Sequence, residues 1–422
     1  MSVAALAGMM SLAACSSDDI VSPADNDVQT IKIAVASTGD KSMRSRDLNS
    51  EEPAQKIENV AVVIRDKATN TVVYQTIIND WDTKSKPYTD NGHGRECTLK
   101  LEGADRLNAG EYTITAVGYT ADDFKTNTIV DAKKGEVAAG NFTAEVADGK
   151  AAQEAFAGES SIKLLEDHAA INPSVTLHRQ VAGYYGYFTS IPVEVNSKKV
   201  TDVRLVARSK NMKLTYGNFN SSFTTTNKDI MYVVNGSEPA TTKDAKFKGS
   251  ADNDAYTVYN IKVDAWFTHG DMNNDGILDE KDALIKDGWT NALADKGYLT
   301  YQPGTIFAGG FAVPFAATAD ATLELQLLDV SGEILKSWTV AMATAQSAGQ
   351  GVDGVALTVP ETTQNFSFFR NHMYTLGKKV DNTKDKPGTT TPDQPEPLDK
   401  SQSMILRVND NWEVINRMTI GD

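Results

Sequence analysis

The chain has 422 residues, 41% apolar and 8% aromatic, enough for two or three domains with substantial cores and too polar for a multi-pass membrane protein. Its formal net charge of −15, with no long basic run, disfavours a nucleic-acid backbone as partner. Two cysteines, Cys15 and Cys97, exclude a framework of disulfides; with Cys15 used elsewhere, Cys97 reads as a small buried hydrophobe.

The opening "MSVAALAGMMSLAAC" is small and apolar, then stops at "SSDD". It resembles the end of a bacterial lipoprotein signal, with Leu12–Cys15 as the lipobox and Cys15 as the lipid-bearing residue. The run is too short to span a bilayer. No Lys or Arg precedes it, which a start codon set too far downstream would explain; a frayed apolar N-terminus is the plainer alternative. The acidic "SSDD" resembles the surface-export signals of Bacteroidales lipoproteins, so secretion is the expectation.

In "VQTIKIAVAS", residues 28–37, Ile31, Ile33 and Val35 alternate with Lys32, Ala34 and Ala36, the period of a strand with one buried face. A polar loop follows, "TGDKSMRSRDLNSEEPAQ", carrying Arg44 and Arg46 in surroundings where proteases cut easily. Next comes a second strand, "NVAVVIRD". Taken alone, this is an ordinary strand, loop and strand.

Most later segments also alternate in the manner of strands: "TNTVVYQTII", "GEYTITAVGY", "SVTLHRQVAGYYGYFT", "KVTDVRLVARS", "DAYTVYNIKVDAWF", "TLELQLLDVSGEILKSWTVAM" and "GVALTVP". Asn91-Gly92 and Ser331-Gly332 supply turn signals. Only "EAFAGESSIKLLEDHAA" and "DEKDALIKDGWTNALAD" read as helical. The pattern predicts a mainly β fold, two β-sandwich domains in tandem with a few short helices. A composition shift near "DHAAINPS" divides an N-terminal domain, 47–172, from a C-terminal one, 173–422.

Within the second domain, "DMNNDGILDEKD" has calcium-loop spacing. Asp271, Asn273 and Asp275 take positions 1, 3 and 5, and Gly276 sits at the sharp turn. The Ile277 carbonyl, Asp279 and Asp282 follow as further oxygen ligands. One Ca²⁺ in a structural site is the expectation, against a merely acidic, solvated turn. A single loop entered from a strand-like "IKVDAWFTHG" argues against a sensor, and a dockerin needs a second copy.

The Pro- and Thr-rich stretch 381–400 is a linker or loop, followed by "SMILRV" and "NWEVINRMTIGD". In the last, Trp412, Val414, Asn416, Met418 and Ile420 share one face. No nucleophile elbow, phosphate loop, His-Glu-x-x-His or Cys-x-x-Cys occurs, and the five histidines are scattered. Enzymatic activity is not expected. Trp266, Trp289 and Trp338 read as core rather than sugar-stacking residues.

Taken together, these pieces resemble the Bacteroidales fimbrillins, the FimA/Mfa type of pilus subunit. The resemblance rests on the lipobox, the strand Thr30–Ser37 followed by Arg44 and Arg46, "FSFFRNHMYTLGKKV" at Phe366–Val380, and the Trp412 strand. It implies transthyretin-like β-sandwich domains and a lipoprotein precursor at the outer membrane. An Arg-specific, trypsin-like protease would cut after Arg46 or Arg44. Residues 15–46 would then leave as a propeptide, with Ile31, Ile33 and Val35 on the removable strand. The groove would be filled by the C-terminal strand Asn411–Ile420 of another copy or a related fimbrillin, building a head-to-tail adhesive filament at the cell surface. The alternative is a surface-anchored lipoprotein that binds glycan or protein and does not polymerise.

Overall fold

The computed structural model describes residues 28–35, 57–87, 95–121, 124–138, 140–147, 152–207, 209–210, 213–216, 241–242, 256–283, 302–313, 323–342, 373–377, 395–399 and 404–409. Among these the fold is mainly β, as the alternation predicts, with helical structure confined to short turns such as Trp81–Lys84 and Val263–Trp266.

The first half supplies β1 (Gln29–Val35), β2 (Asn59–Asp66), β3 (Val72–Ile78), β4 (Lys86–Pro87), β5 (Arg95–Leu101) and β6 (Gly110–Tyr119). It continues with β7 (Phe124–Asn127), β8 (Thr143–Val146), β9 (Phe156–Leu164) and β10 (Ser174–Arg179). Eight of these form one sheet in the order β3-β2-β6-β9-β10-β1-β5-β4. β2 is buried on both faces, which is why "VAVVI" is an unbroken apolar run. Val60, Val62 and Ile64 enter a core with Ile31, Ile33, Val35, Phe156, Val175 and Leu177.

Ala61 and Val63 point the other way, into a core that holds Tyr185, Tyr187, Phe307 and Phe311 from the second half. A three-stranded sheet completes that side, in which Lys213–Thr215 pairs with β8, and β8 with β7. The halves therefore share apolar packing rather than sitting as independent beads.

β11 (Ala182–Thr189) opens the second large sheet. It lies between Thr305–Ala312, which is antiparallel to it, and Met373–Leu376, which is parallel. Beyond Met373–Leu376 come Met404–Asn409, Ile334–Met342, Leu323–Leu328, Asp202–Ala207 and Tyr256–Lys262. The Ser331-Gly332 signal is a tight hairpin: Gly332 has φ +84°, and Asp329 Oδ1 accepts from the N–H groups of Ser331 and Glu333. Trp338 is buried, and Trp266 packs edge-on to Phe307 at 4.9 Å.

Four sequence expectations change. "EAFAGESSIKLLEDHAA" is not helical: Phe156–Leu164 is β9, paired with β6 along its length and with β10 at its start. Its residues are locally ambiguous, and an open edge beside β6 overrides helix propensity. Gly158 fits this site because a Cβ there would lie 2.0 Å from the Thr176 carbonyl oxygen. "SVTLHRQVAGYYGYFT" is two strands in different sheets, so the change of sheet falls at Gln180–Val181, inside the segment assigned to the second domain. "DAYTVYNIKVDAWF" leaves the sheet at Lys262, and Val263–Trp266 forms one helical turn closed by Phe267 N–H on the Val263 carbonyl. In "DEKDALIKDGWTNALAD", residues 279–283 are turn rather than helix, and the rest lies outside the described residues.

Candidate functional site

β1 occupies an interior slot of the first sheet. Against β10 it runs parallel, with Lys32 opposite Ser174 and Val35 opposite Leu177. Against β5 it runs antiparallel over its whole length, from Gln29 opposite Leu101 to Val35 opposite Arg95. Ile31, Ile33 and Val35 are each 0% exposed, as the alternation predicts for a strand with one buried face. Before β10 begins, the slot continues along the preceding segment: Thr30 N–H donates to the Ile171 carbonyl and Lys32 N–H to the Pro173 carbonyl, each at 2.9 Å.

The strand is also held at its entrance by a residue that alternation misses. Gln29 is completely buried, and its Nε2 donates to the carbonyls of Leu107 (3.1 Å) and Ala169 (2.9 Å). Its Oε1 accepts the Leu107 N–H at 2.7 Å. The readable signal was only that Gln29 falls in phase with Ile31 and Ile33. A half-buried ion pair, Lys32 with Glu96 at 2.7 Å, ties the opposite face of β1 to β5.

Cys97 stands directly opposite Ile33 in the β1–β5 register. It is a half-buried free thiol, and burial pushes its pKa up while Lys84 pulls the other way. At the end of the neighbouring interior strand β10, Arg179 forms a pair with Glu154, 0% and 1% exposed, with Arg179 Nη2 donating to Glu154 Oε1 at 2.7 Å. The guanidinium lies 4.9 Å from the Phe156 ring centre.

The acidic loop is folded around its own backbone. The two Asp271 oxygens accept from Asn274 N–H (2.7 Å) and Gly276 N–H (2.8 Å). Asp282, almost fully buried, accepts from Met272 N–H (2.8 Å) and Asp279 N–H (3.0 Å). Gly276 has φ +85°, the left-handed conformation that its position in the motif calls for. Ile277–Leu278 pairs with Ile191–Pro192, so the loop is braced on the body of the second half. Lys281 Nζ lies 3.1 Å from Asp275 Oδ2 and holds the Asp275 carboxyl below the usual carboxylate range. Among the described residues, no three His, Cys, Asp or Glu side chains gather at metal-binding distance.

Cys15, Arg44, Arg46, Trp412, Val414, Asn416, Met418 and Ile420 lie outside the described residues, as do Asn91-Gly92, "GVALTVP", Trp289 and His372. Of the "FSFFRNHMYTLGKKV" segment, Met373–Leu376 is a strand of the second sheet. No helix among the described residues is long and apolar enough to cross a membrane.

No protein-family model and no curated protein matches the chain. Among solved structures it is similar to a cell adhesion protein from Parabacteroides distasonis, at 10% identity and TM-score 0.44, covering 93% of this chain and 99% of that one. It is similar to a fimbrial assembly protein from the same species, at 12% identity and TM-score 0.38, covering 84% and 92%. A third is the fimbrial anchor protein Mfa2 from Porphyromonas gingivalis, at 13% identity and TM-score 0.35, covering 83% and 90%.

Proposed function

We propose that this chain is a fimbrial subunit that polymerises by strand replacement after proteolysis, and that β1 is the strand given up. The observation that carries this reading is the position of β1: a fully formed interior strand whose connection onward to β2 runs through residues 36–56, which include Arg44 and Arg46. A cut after Arg46 or Arg44 leaves it held by noncovalent contacts alone.

The energetics explain why cutting and refilling go together. Three large apolar side chains at about 1.5–3 kcal/mol each hold β1 in place before its ladder and the Gln29 contacts are counted. While tethered, β1 rebinds at an effective concentration of about millimolar. Severed, it competes with any other strand of matching pattern. Strand addition to an open slot is a known mode of recognition, and a head-to-tail contact that does not close on itself builds a filament. The donor in this reading is Asn411–Ile420 of the next copy, which carries Trp412, Val414, Asn416, Met418 and Ile420 on one face. Export as a lipoprotein through Cys15, followed by surface maturation, accords with the signal-like N-terminus.

The direct test is digestion of the purified chain by an Arg-specific protease. Release of a fragment ending at Arg44 or Arg46, with high-mass ladders, is expected. A cut product that stays monomeric with its C-terminus intact overturns the reading in favour of a permanently anchored binding protein.

For the acidic loop we propose a structural Ca²⁺. Asp271, Asn273, Asp275, the Ile277 carbonyl, Asp279 and Asp282 would hold it. The all-oxygen donor set, the positive φ at Gly276 and the cation already resting on Asp275 support this. The ion would displace Lys281 and stiffen the loop against Ile191–Pro192.

A further inference from the structure

Removing β1 leaves more than an apolar groove. At its entrance, the Leu107 N–H and the Leu107 and Ala169 carbonyls lose the partners that the Gln29 amide supplies. An incoming strand without an amide at that point leaves the Leu107 N–H bare in the interior and costs the half-buried Ala169 carbonyl a partner, while the Leu107 carbonyl keeps the His168 N–H. Among the five in-phase residues of the tail, Asn416 alone carries one.

Resting on the strand-replacement reading, we propose that Asn416 of a second copy takes the place of Gln29 and thereby fixes the register and direction of the incoming strand. Aligned on that amide and running the same way as β1, Asn416–Gly421 matches Gln29–Ala34, with Trp412 and Val414 ahead of the slot. Met418 falls on Ile31, Ile420 on Ile33 and Gly421 on Ala34, with polar residues at both intervening positions. The small residue matters because Ala34 is itself buried. In either direction an aspartate, Asp422 or Asp410, comes to the fully buried place of Val35 across from Arg95, so that position does not separate the two. The opposite direction fits worse: it puts Trp412 where Ile33 is fully enclosed and Asn411 where Ala34 is. Asn is one methylene shorter than Gln, so Asn416→Gln is tolerated in this register and Asn416→Leu is not.

The register has a built-in reporter, because Ile33 faces Cys97 and Ile420 inherits that place. Opposed residues on neighbouring antiparallel strands have Cα atoms about 4.5–5.5 Å apart, within disulfide reach. In a full chain carrying Cys15→Ser and Ile420→Cys, protease cutting under mild oxidation is expected to give covalent ladders. These would survive boiling and collapse on reduction. Ladders from Met418→Cys or Trp412→Cys instead, or none from Ile420→Cys while polymers form, overturn the register. Separately, Asn416→Leu should cut polymer yield about tenfold while Asn416→Gln stays near wild type. Equal yields from all three overturn the amide's role while leaving strand replacement standing. A wild-type chain that never polymerises defeats both.

Discussion

Gln29 and Leu107, 78 positions apart, are joined through both ends of one side-chain amide: Nε2 donates to the Leu107 carbonyl at 3.1 Å and Oε1 accepts the Leu107 N–H at 2.7 Å. The contact makes the first residue of β1 a latch rather than a frayed end. Gln29→Leu should lower stability by about 1–3 kcal/mol, because it leaves the buried Leu107 N–H without a partner. Chemical denaturation reads the loss, and the variant should also shed the severed strand faster. An unchanged midpoint contradicts the latch.

Cys97 reports whether β1 is in its slot. In the intact chain its raised thiol pKa and half-buried position keep the reactive thiolate scarce at neutral pH. In a Cys15→Ser background, a thiol-reactive dye should label it slowly before cutting and faster once β1 has gone. Refilling by a neighbour's tail should slow it again. Equal rates in all three states argue that β1 does not move.

The Glu154–Arg179 pair sits where the first sheet hands the chain to the second. Glu154→Leu alone should cost about 3–5 kcal/mol, because it leaves the guanidinium buried without its carboxylate. Glu154→Leu combined with Arg179→Met should recover much of that loss. A denaturant double-mutant cycle measures the coupling, and additive effects would deny it.

Calcium at about 10 mM, well above the dissociation constants common for extracellular sites, should raise Tm by a few degrees. Asp271→Ala should abolish the rise without unfolding the chain, and chelation should reverse it. Calorimetry with no shift on adding Ca²⁺ rejects the site.

Several of these features were readable in advance because they depend on near neighbours in sequence. Alternation marked Ile31, Ile33 and Val35, and their burial bears that out. Position within the loop motif required a left-handed turn at Gly276, and its φ is +85°. Ser331-Gly332 closes a hairpin for the same local reason. By contrast, the helical pattern of β9 yields to a strand because nothing local announces the β6 edge it joins. The role of Gln29 is invisible to local pattern, because a polar residue at a strand's start looks solvated until Leu107 and Ala169 arrive from far along the chain.

By itself, then, the sequence determined which residues prefer a pleated, one-sided environment and where the backbone must turn. These follow from side-chain period and steric limits on φ and ψ. Only the tertiary structure decided that β1 lies between β10 and β5, that Cys97 faces Ile33, and that both halves share a core. Those are long-range pairings, fixed by which edges and apolar faces remain to be covered once the whole chain is folded.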